Sequence, residues 1–195
     1  MIAAVVLAAG QSRRMGSPKM ILPWGNTTVI GHVVAVLQEA GVGEICVVTG
    51  GAHEQVEAAL HDLGVKTVLN PRFEQDEMAL SLQVGLENLS AQAQAALVVL
   101  GDQPQIQVQV VCSVMQMYET QQARLVVPSY QMRRGHPWLI DRALWSEVMA
   151  LQSPCTLRDV LTSHPERIHY VPVETDSILR DLDTPEDYGR ERVQK

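Results

Sequence analysis

Ala3-Ala4-Val5-Val6-Leu7 runs without a polar residue into Ala8-Ala9-Gly10-Gln11-Ser12-Arg13-Arg14-Met15-Gly16-Ser17-Pro18-Lys19. The apolar run is too short for a helix of ordinary length and does not alternate. That is the pattern of a strand buried on both faces, as a parallel sheet covered by helices requires. A turn of glycines and small residues follows, carrying Arg13, Arg14 and Lys19. Open α/β sheets bind ligands beyond the carboxyl ends of their strands, where this turn stands. Five residues separate Gly10 from Gly16 and Lys19 comes three later, so the turn is neither a GxxxxGK[ST] nor a GxGxxG loop. Its physics is still that of an anion site, because small residues let backbone N–H groups approach a phosphate and the cations concentrate charge. A triphosphate is the natural guest, and a solvated basic turn is the plain alternative.

Outward from this turn the pattern repeats. Residues Ile45 to Thr49, Val65 to Leu69 and Ala95 to Leu100 read as further strands. Between the first two strands Ile30, Val33, Val34 and Leu37 share a helical face, with Thr28 as N-cap and Gly41 as the stop. Helical patterns over Glu54 to Leu63, Met78 to Leu89 and Ile106 to Tyr118 complete a βαβαβαβα order. Beyond it Leu125 to Ser129 and His136 to Ile140 flank a polar turn at Gln131 to Gly135, which reads as a hairpin on the sheet. Helices are expected over Ala143 to Ala150, Leu157 to Ser163 and Pro185 to Val193, and a strand over Ile168 to Val173. With no linker or repeat, residues 1–195 are expected to form a single α/β domain with a mostly parallel sheet and an antiparallel hairpin insertion.

The chain is 46% hydrophobic and 19% charged, with a net charge of -7 and a pI near 5.3. An acidic chain has no field to capture nucleic acid or an anionic membrane, so neither is an expected partner. Cys46, Cys112 and Cys155 are odd in number and far apart, which fits a reducing compartment, the cytoplasm, and core thiols. The apolar N-terminus lacks a basic leader and is too short to span a bilayer. The methionines read as fillers of core gaps. His32, His53, His61, His164 and His169 have no ligand-like spacing and read as surface or packing residues.

Acidic residues stand where a metal would be useful. Leu100-Gly101-Asp102-Gln103-Pro104 places Asp102 at the end of the fourth strand, on the edge that carries the phosphate turn. Asp181-Leu182-Asp183-Thr184-Pro185-Glu186-Asp187 places further acids before a helix that Thr184 can cap and Pro185 can open. Mg²⁺ is typically held by one or two carboxylates and substrate phosphates, an arrangement that Asp102 and Asp183 can supply. Turn formation at Asp102 and helix capping at Asp183 are the rival readings. Asp181 shares a side of an extended segment with Asp183 and remains an alternative ligand.

The string LAAGQSRRMGSPK matches the LAAGxSxRMGxxK signature of the molybdopterin nucleotidyltransferase-like group, and the chain resembles its molybdenum-cofactor cytidylyltransferases over nearly its full length. GDxP at Gly101 to Pro104, RxGHP at Arg133 to Pro137 and DxDTPEDY at Asp181 to Tyr188 carry the resemblance further. It implies a three-layer α/β/α domain with a Rossmann-like sheet, and Mg²⁺-dependent transfer of CMP from CTP to the phosphate of molybdenum-bound molybdopterin. CTP is implied because cytidylyl relatives carry LAAG where guanylyl relatives carry a GG pair. Arg14, Lys19 and Asp102 become the expected catalytic residues and Asp102 with Asp183 the metal pair. Leu7, Ala8, Ala9, Gly10, Ser12, Arg13, Arg14, Gly16, Lys19, Asn70, Ser81 and Gly101 become the nucleotide site. Gly135, His136, Pro137 and Arg158 become the acceptor site, and a molybdenum hydroxylase the receiver of the product.

Two segments depart from the family. In Met78 to Gly85, Ala79 and Leu80 replace small or hydroxylated residues and Gln83 replaces the usual Arg, with loss of a phosphate contact. Ser153-Pro154-Cys155-Thr156-Leu157-Arg158 stands in place of GDxGAR and keeps only Arg158. Transfer to a sugar phosphate or another alcohol phosphate, and a non-catalytic cofactor chaperone, are the alternatives.

Overall fold

The structure is a computed structural model that describes residues 1–75, 77–153, 155–163 and 165–193. Pro154 and His164 therefore lie outside the described residues. The elements are β1 (Ile2–Ala8), β2 (Pro23–Trp24), β3 (Thr27–Thr28), α1 (Val29–Glu39), β4 (Glu44–Thr49), α2 (His53–Leu60), β5 (Lys66–Leu69), α3 (Met78–Glu87), β6 (Ala95–Leu100), α4 (Val108–Gln121), β7 (Leu125–Tyr130), β8 (Arg133–Arg134), β9 (Trp138–Asp141), α5 (Trp145–Met149), α6 (Leu157–Ser163), β10 (Ile168–Pro172) and α7 (Pro185–Val193).

One mixed sheet runs in the order β10-β7-β9-β6-β1-β4-β5, with β8 folded back on β7. Strand β1 lies inside it, parallel to both β4 and β6. Its alternate residues enter opposite layers: Ala4, Val6 and Ala8 join Ile30, Val33, Leu37 and Val111, while Ala3, Val5 and Leu7 join Leu82, Leu86, Trp145 and Leu161. Burial on both faces is why the N-terminal run does not alternate. The result is a three-layer α/β/α fold with a mostly parallel, Rossmann-like sheet. Helix α1 starts as expected, with the Thr28 side chain accepting from the Gly31 amide, and Gly41 past its end has φ +80°.

The two strands of the expected hairpin are β7 and β9, which pair antiparallel, and the connection between them folds into a tight β7–β8 pair turning through Gln131 and Met132. The strand after it is not an appendage. β9 pairs antiparallel with both β6 and β7, and so lies within the sheet between them. A second hairpin, β2–β3, turns through Gly25 and Asn26. Two other expectations are corrected. Met20 is buried, but Met132 is 96% exposed and Met78 stands at a cavity, so the methionines are not uniformly core fillers. Cys46 is buried, Cys112 half-buried and Cys155 exposed. Among the described residues no helix is long and apolar enough to cross a membrane.

The C-terminal segment crosses back over the carboxyl edge of the sheet. The Leu182 amide donates to the Asp102 carbonyl at 3.0 Å, and the Leu182 side chain is buried against Trp24 and Val29. This pairing brings two acidic motifs, remote in sequence, to one place.

Candidate active site

The turn after β1 is shaped by Ser12 (φ +50°) and Gly16 (φ +68°), with the Met15 amide donating to the Ser12 carbonyl. Ser12 Oγ accepts from the Lys19 amide at 3.1 Å, tying the two ends of the turn together. The three cations take different places. Arg13 Nε donates to Gln11 Oε1 at 3.0 Å, and Arg14 Nη2 reaches Asp183 Oδ2 at 2.8 Å. Lys19 is buried, and its Nζ donates to Asp102 Oδ2 and lies 3.5 Å from Asp183 Oδ1. A cavity between them is lined by Gly10 to Arg14, Lys19, Asp102 and Asp183. The plain alternative, a solvated basic turn, does not describe Lys19.

Asp102 and Asp183 thus share one cation already, which is an observation that these two carboxylates suit a positive ion. Asp181 stands differently. Its Oδ1 accepts from Gln103 Nε2 at 2.6 Å, and burial raises its carboxyl above the usual range against the lowering effect of that hydrogen bond. Thr184 and Asp187 form the cap of α7: the Thr184 hydroxyl accepts from the Asp187 amide, and Asp187 Oδ2 accepts from the Thr184 amide. Among the described residues no three metal-ligating side chains converge, so a cation here would complete its shell with phosphate oxygens and water.

A second cavity adjoins the first through Gly10, Lys19 and Asp102, and is walled by Leu7, Ala9, Phe73, Met78 and Ser81. Asn70 is buried beside it and donates from Nδ2 to Ser81 Oγ at 3.1 Å, so these two expected residues are brought together. Gly101 sits close under the Leu7 carbonyl, to which its amide donates. Ala8 and Ala9 are buried at the end of β1.

A wide cavity, about 910 Å³, lies beyond Glu77 and Met78, which line both spaces. His136 and Arg158 line it, joined by Arg134, Trp138, Cys155 and Thr156. Gly135 has no room for a side chain: a Cβ would stand 2.2 Å from the Ile178 carbonyl oxygen, which accepts from the His136 amide. The His136–Pro137 bond is cis. The His136 ring stacks on Trp138 at 4.6 Å and 13°. Burial first, and the Arg158 guanidinium second, push the imidazole down to about 4, so it is neutral at neutral pH. Gln83 does not face a phosphate. Its Nε2 donates to the Val148 and Leu151 carbonyls at 3.0 Å, holding the end of α5 and the lip that leads to Arg158.

Several lining residues were not singled out by the sequence. Gln11 Nε2 donates to the Glu74 carbonyl at 3.2 Å, clasping the phosphate turn to the segment that carries Phe73. Gln103, Trp138, Glu77 and Thr156 also belong to the two sites. Trp138 directly follows the GHP motif, and Gln11 and Gln103 lie within the quoted turn and GDxP motifs, whereas Glu77 had no local signal.

A cleft lined by three cations and a wide cavity, connected through the space beside Met78 at the edge of a mostly parallel sheet, suit group transfer from a nucleotide to an acceptor, and the protein is an enzyme of the nucleotidyltransferase class. The MobA-like NTP transferase domain matches residues 4–168, and the chain belongs to that family. It is 25% identical to the molybdenum cofactor cytidylyltransferase of Escherichia coli (strain K12), over 96% of this chain and 93% of that protein. It is 37% identical to the bifunctional protein GlmU of Streptomyces griseus over 52% of this chain, and the match spans 22% of GlmU. Among solved structures, Rv0371c from Mycobacterium tuberculosis H37Rv superposes with a TM-score of 0.87 at 30% identity, covering 98% of this chain and 97% of that one. Rv0371c has also been solved in complex with manganese.

Proposed function

We propose that this enzyme transfers CMP from CTP to the phosphate of molybdenum-bound molybdopterin, with Mg²⁺ as cofactor and pyrophosphate as the leaving group. The supporting observation is the meeting of the two cavities at Met78, beside Lys19 and Asp102, which lets two anionic substrates lie end to end. An oxygen of the acceptor phosphate attacks the α-phosphorus, the bond to the bridging oxygen of the β-phosphate breaks, and pyrophosphate departs. The attacking phosphate is already anionic, so the protein needs no strong general base and must align two anions and neutralise the developing charge. Lys19 and Arg14 carry that charge, with Arg13 at the mouth. Asp102 and Asp183 would hold Mg²⁺, which supplies Lewis-acid stabilisation of phosphate oxygens when bound. Asp183 is preferred to Asp181 because it already shares a cation with Asp102, whereas Asp181 is bonded to Gln103. Ser81 lines the nucleoside end, with the buried Asn70 bonded to it from behind.

The neutral His136 orients the acceptor by hydrogen bonding and stacking rather than by charge, and Arg158 meets its phosphate. The acceptor assignment draws on the RxGHP motif and on the Escherichia coli relative, whose match extends over 96% of this chain. The reaction belongs in the cytoplasm, with a molybdenum hydroxylase receiving the product.

Pyrophosphate release in Mg²⁺, with CTP, GTP, ATP and UTP in turn and with or without molybdenum cofactor, tests the proposal. Cofactor-dependent release with CTP alone is expected. Release only with a sugar phosphate would follow the GlmU likeness instead, and binding without release would identify a cofactor carrier.

A further inference from the structure

Lys19 occupies a surprising place for a residue assigned to a triphosphate. Its side chain is 9% exposed, and its ammonium sits between Asp102 Oδ2 and Asp183 Oδ1, the second at 3.5 Å. That is the space between the two carboxylates assigned above to a divalent cation. The other oxygen of Asp183 is held by Arg14 at 2.8 Å. Two carboxylates are thus neutralised, charge for charge, by two side chains of the phosphate turn.

The arrangement has consequences for the order of binding. A divalent cation arriving alone would meet the ammonium at close range in a partly buried cleft, where like charges repel strongly. Expelling Lys19 with no anion to receive it would leave a buried ammonium unpaired, which is costly. A triphosphate changes both conditions, because it brings more negative charge than one divalent ion cancels. Lys19 and Arg14 can then turn onto phosphate oxygens while the metal takes the carboxylates.

We infer that Lys19 is a resident substitute for the metal: it holds the Asp102–Asp183 pair together in the free enzyme, keeps divalent cations out, and yields the site only when a nucleotide draws it away. Metal and nucleotide therefore enter as one unit. The inference rests on the reading of Asp102 and Asp183 as the metal pair. Linkage adds that nucleotide and metal must tighten each other's binding by the same factor.

Mn²⁺ binding in the absence of nucleotide, followed by the electron paramagnetic resonance of the free ion, tests it on the wild type, Lys19→Met, Arg14→Met and Lys19→Met/Asp102→Asn. Lys19→Met should bind Mn²⁺ on the order of tenfold more tightly than wild type, the size of a typical coupling between sites. Arg14 is 68% exposed and screened, so Arg14→Met should change the affinity by less than about threefold. A non-hydrolysable CTP analogue should restore tight Mn²⁺ binding to the wild type. Equal affinities for wild type and Lys19→Met overturn the inference, as does an Arg14→Met effect as large as that of Lys19→Met, which would mark a general field rather than displacement. Retention of tight binding by the double variant would instead remove Asp102 from the metal site and with it the underlying reading. Lys19→Gln, neutral and still able to donate to both carboxylates, replaces Lys19→Met if circular dichroism shows that the latter is unfolded.

Discussion

Asp102 pairs with the buried Lys19 and is also the proposed metal ligand, and the two roles can be separated by substitution. Without its charge the buried Lys19 would keep only Asp183, at 3.5 Å. Breaking a fully buried pair costs several kcal/mol, and because the Asp102 side chain is 18% exposed the cost of Asp102→Asn should be about 1–3 kcal/mol. Lys19→Met/Asp102→Asn should recover part of that loss, since no charge is left stranded. Urea denaturation of the single and double variants measures the coupling, and an Asp102→Asn protein as stable as wild type would show that the pair contributes nothing. Both variants should lose CMP transfer. His136 gives a second prediction at this scale. Its imidazole falls from an ordinary 6.5 to about 4 on folding. The unfolded chain therefore binds more protons than the folded one between these values, and stability rises with pH there. The contribution is complete above 6.5 and is lost progressively as the pH falls towards about 4. His136→Gln should flatten that part of the stability profile from pH 7 to 4, and an unchanged slope would mean that the ring is not held neutral.

Helix α3 links the two cavities, and its role was only half legible. Gly85 lets it close on β1, where a Cβ would stand 2.2 Å from Val5 Cγ1, and Ser81 lines the cavity beside Lys19 while Gln83 ties the end of α5 near the wide cavity. Gln83→Met keeps the volume but removes the buried donors, and should cost about 1–2 kcal/mol. If α5 positions the lip, the KM for the acceptor rises severalfold while that for CTP holds, and Gln83→Arg, which can reach the same carbonyls, rescues it. A loss of stability with both KM values unchanged would make Gln83 purely structural. The sequence suggested only a missing phosphate contact at this residue, because its partners lie in α5 and just beyond it, 65 and 68 residues away. Local patterns served better where local physics decides: the unbroken apolar runs of β1, β4 and β6, the Thr28 cap of α1 and the start of α7 all stand where periodicity and capping put them. The β2–β3 hairpin had a turn signal in Gly25-Asn26. The insertion of β9 between β6 and β7 had none, since sheet order is set by pairing between strands that are distant along the chain.

The whole molecule is acidic, with a net charge of -7, yet Arg13, Arg14 and Lys19 meet in one cleft assembled from distant parts of the chain. Arg14 and Lys19 come from the turn after β1, Asp102 from the end of β6, and Asp183 from the segment that returns before α7. That segment is held by the Leu182 amide on Asp102 and by a Leu182 side chain with no exposure, so the cleft does not form until the C-terminal residues have docked on the sheet. Ligand binding must then be linked to global rather than local unfolding. A nucleotide bound only by the folded state at about 100 times its dissociation constant adds about 2.7 kcal/mol to stability. Mg²⁺ with a CTP analogue should therefore raise the unfolding free energy by that amount, moving the urea midpoint upward by that energy divided by an unchanged slope, whereas Mg²⁺ alone should shift it little while Lys19 holds the carboxylates. Hydrogen exchange separates this from a local effect: slowing confined to residues 10–19 would mean that the ligand orders only the turn. Equal slowing in the strands β1 and β6 would follow from a cleft that exists only when the chain is folded from end to end.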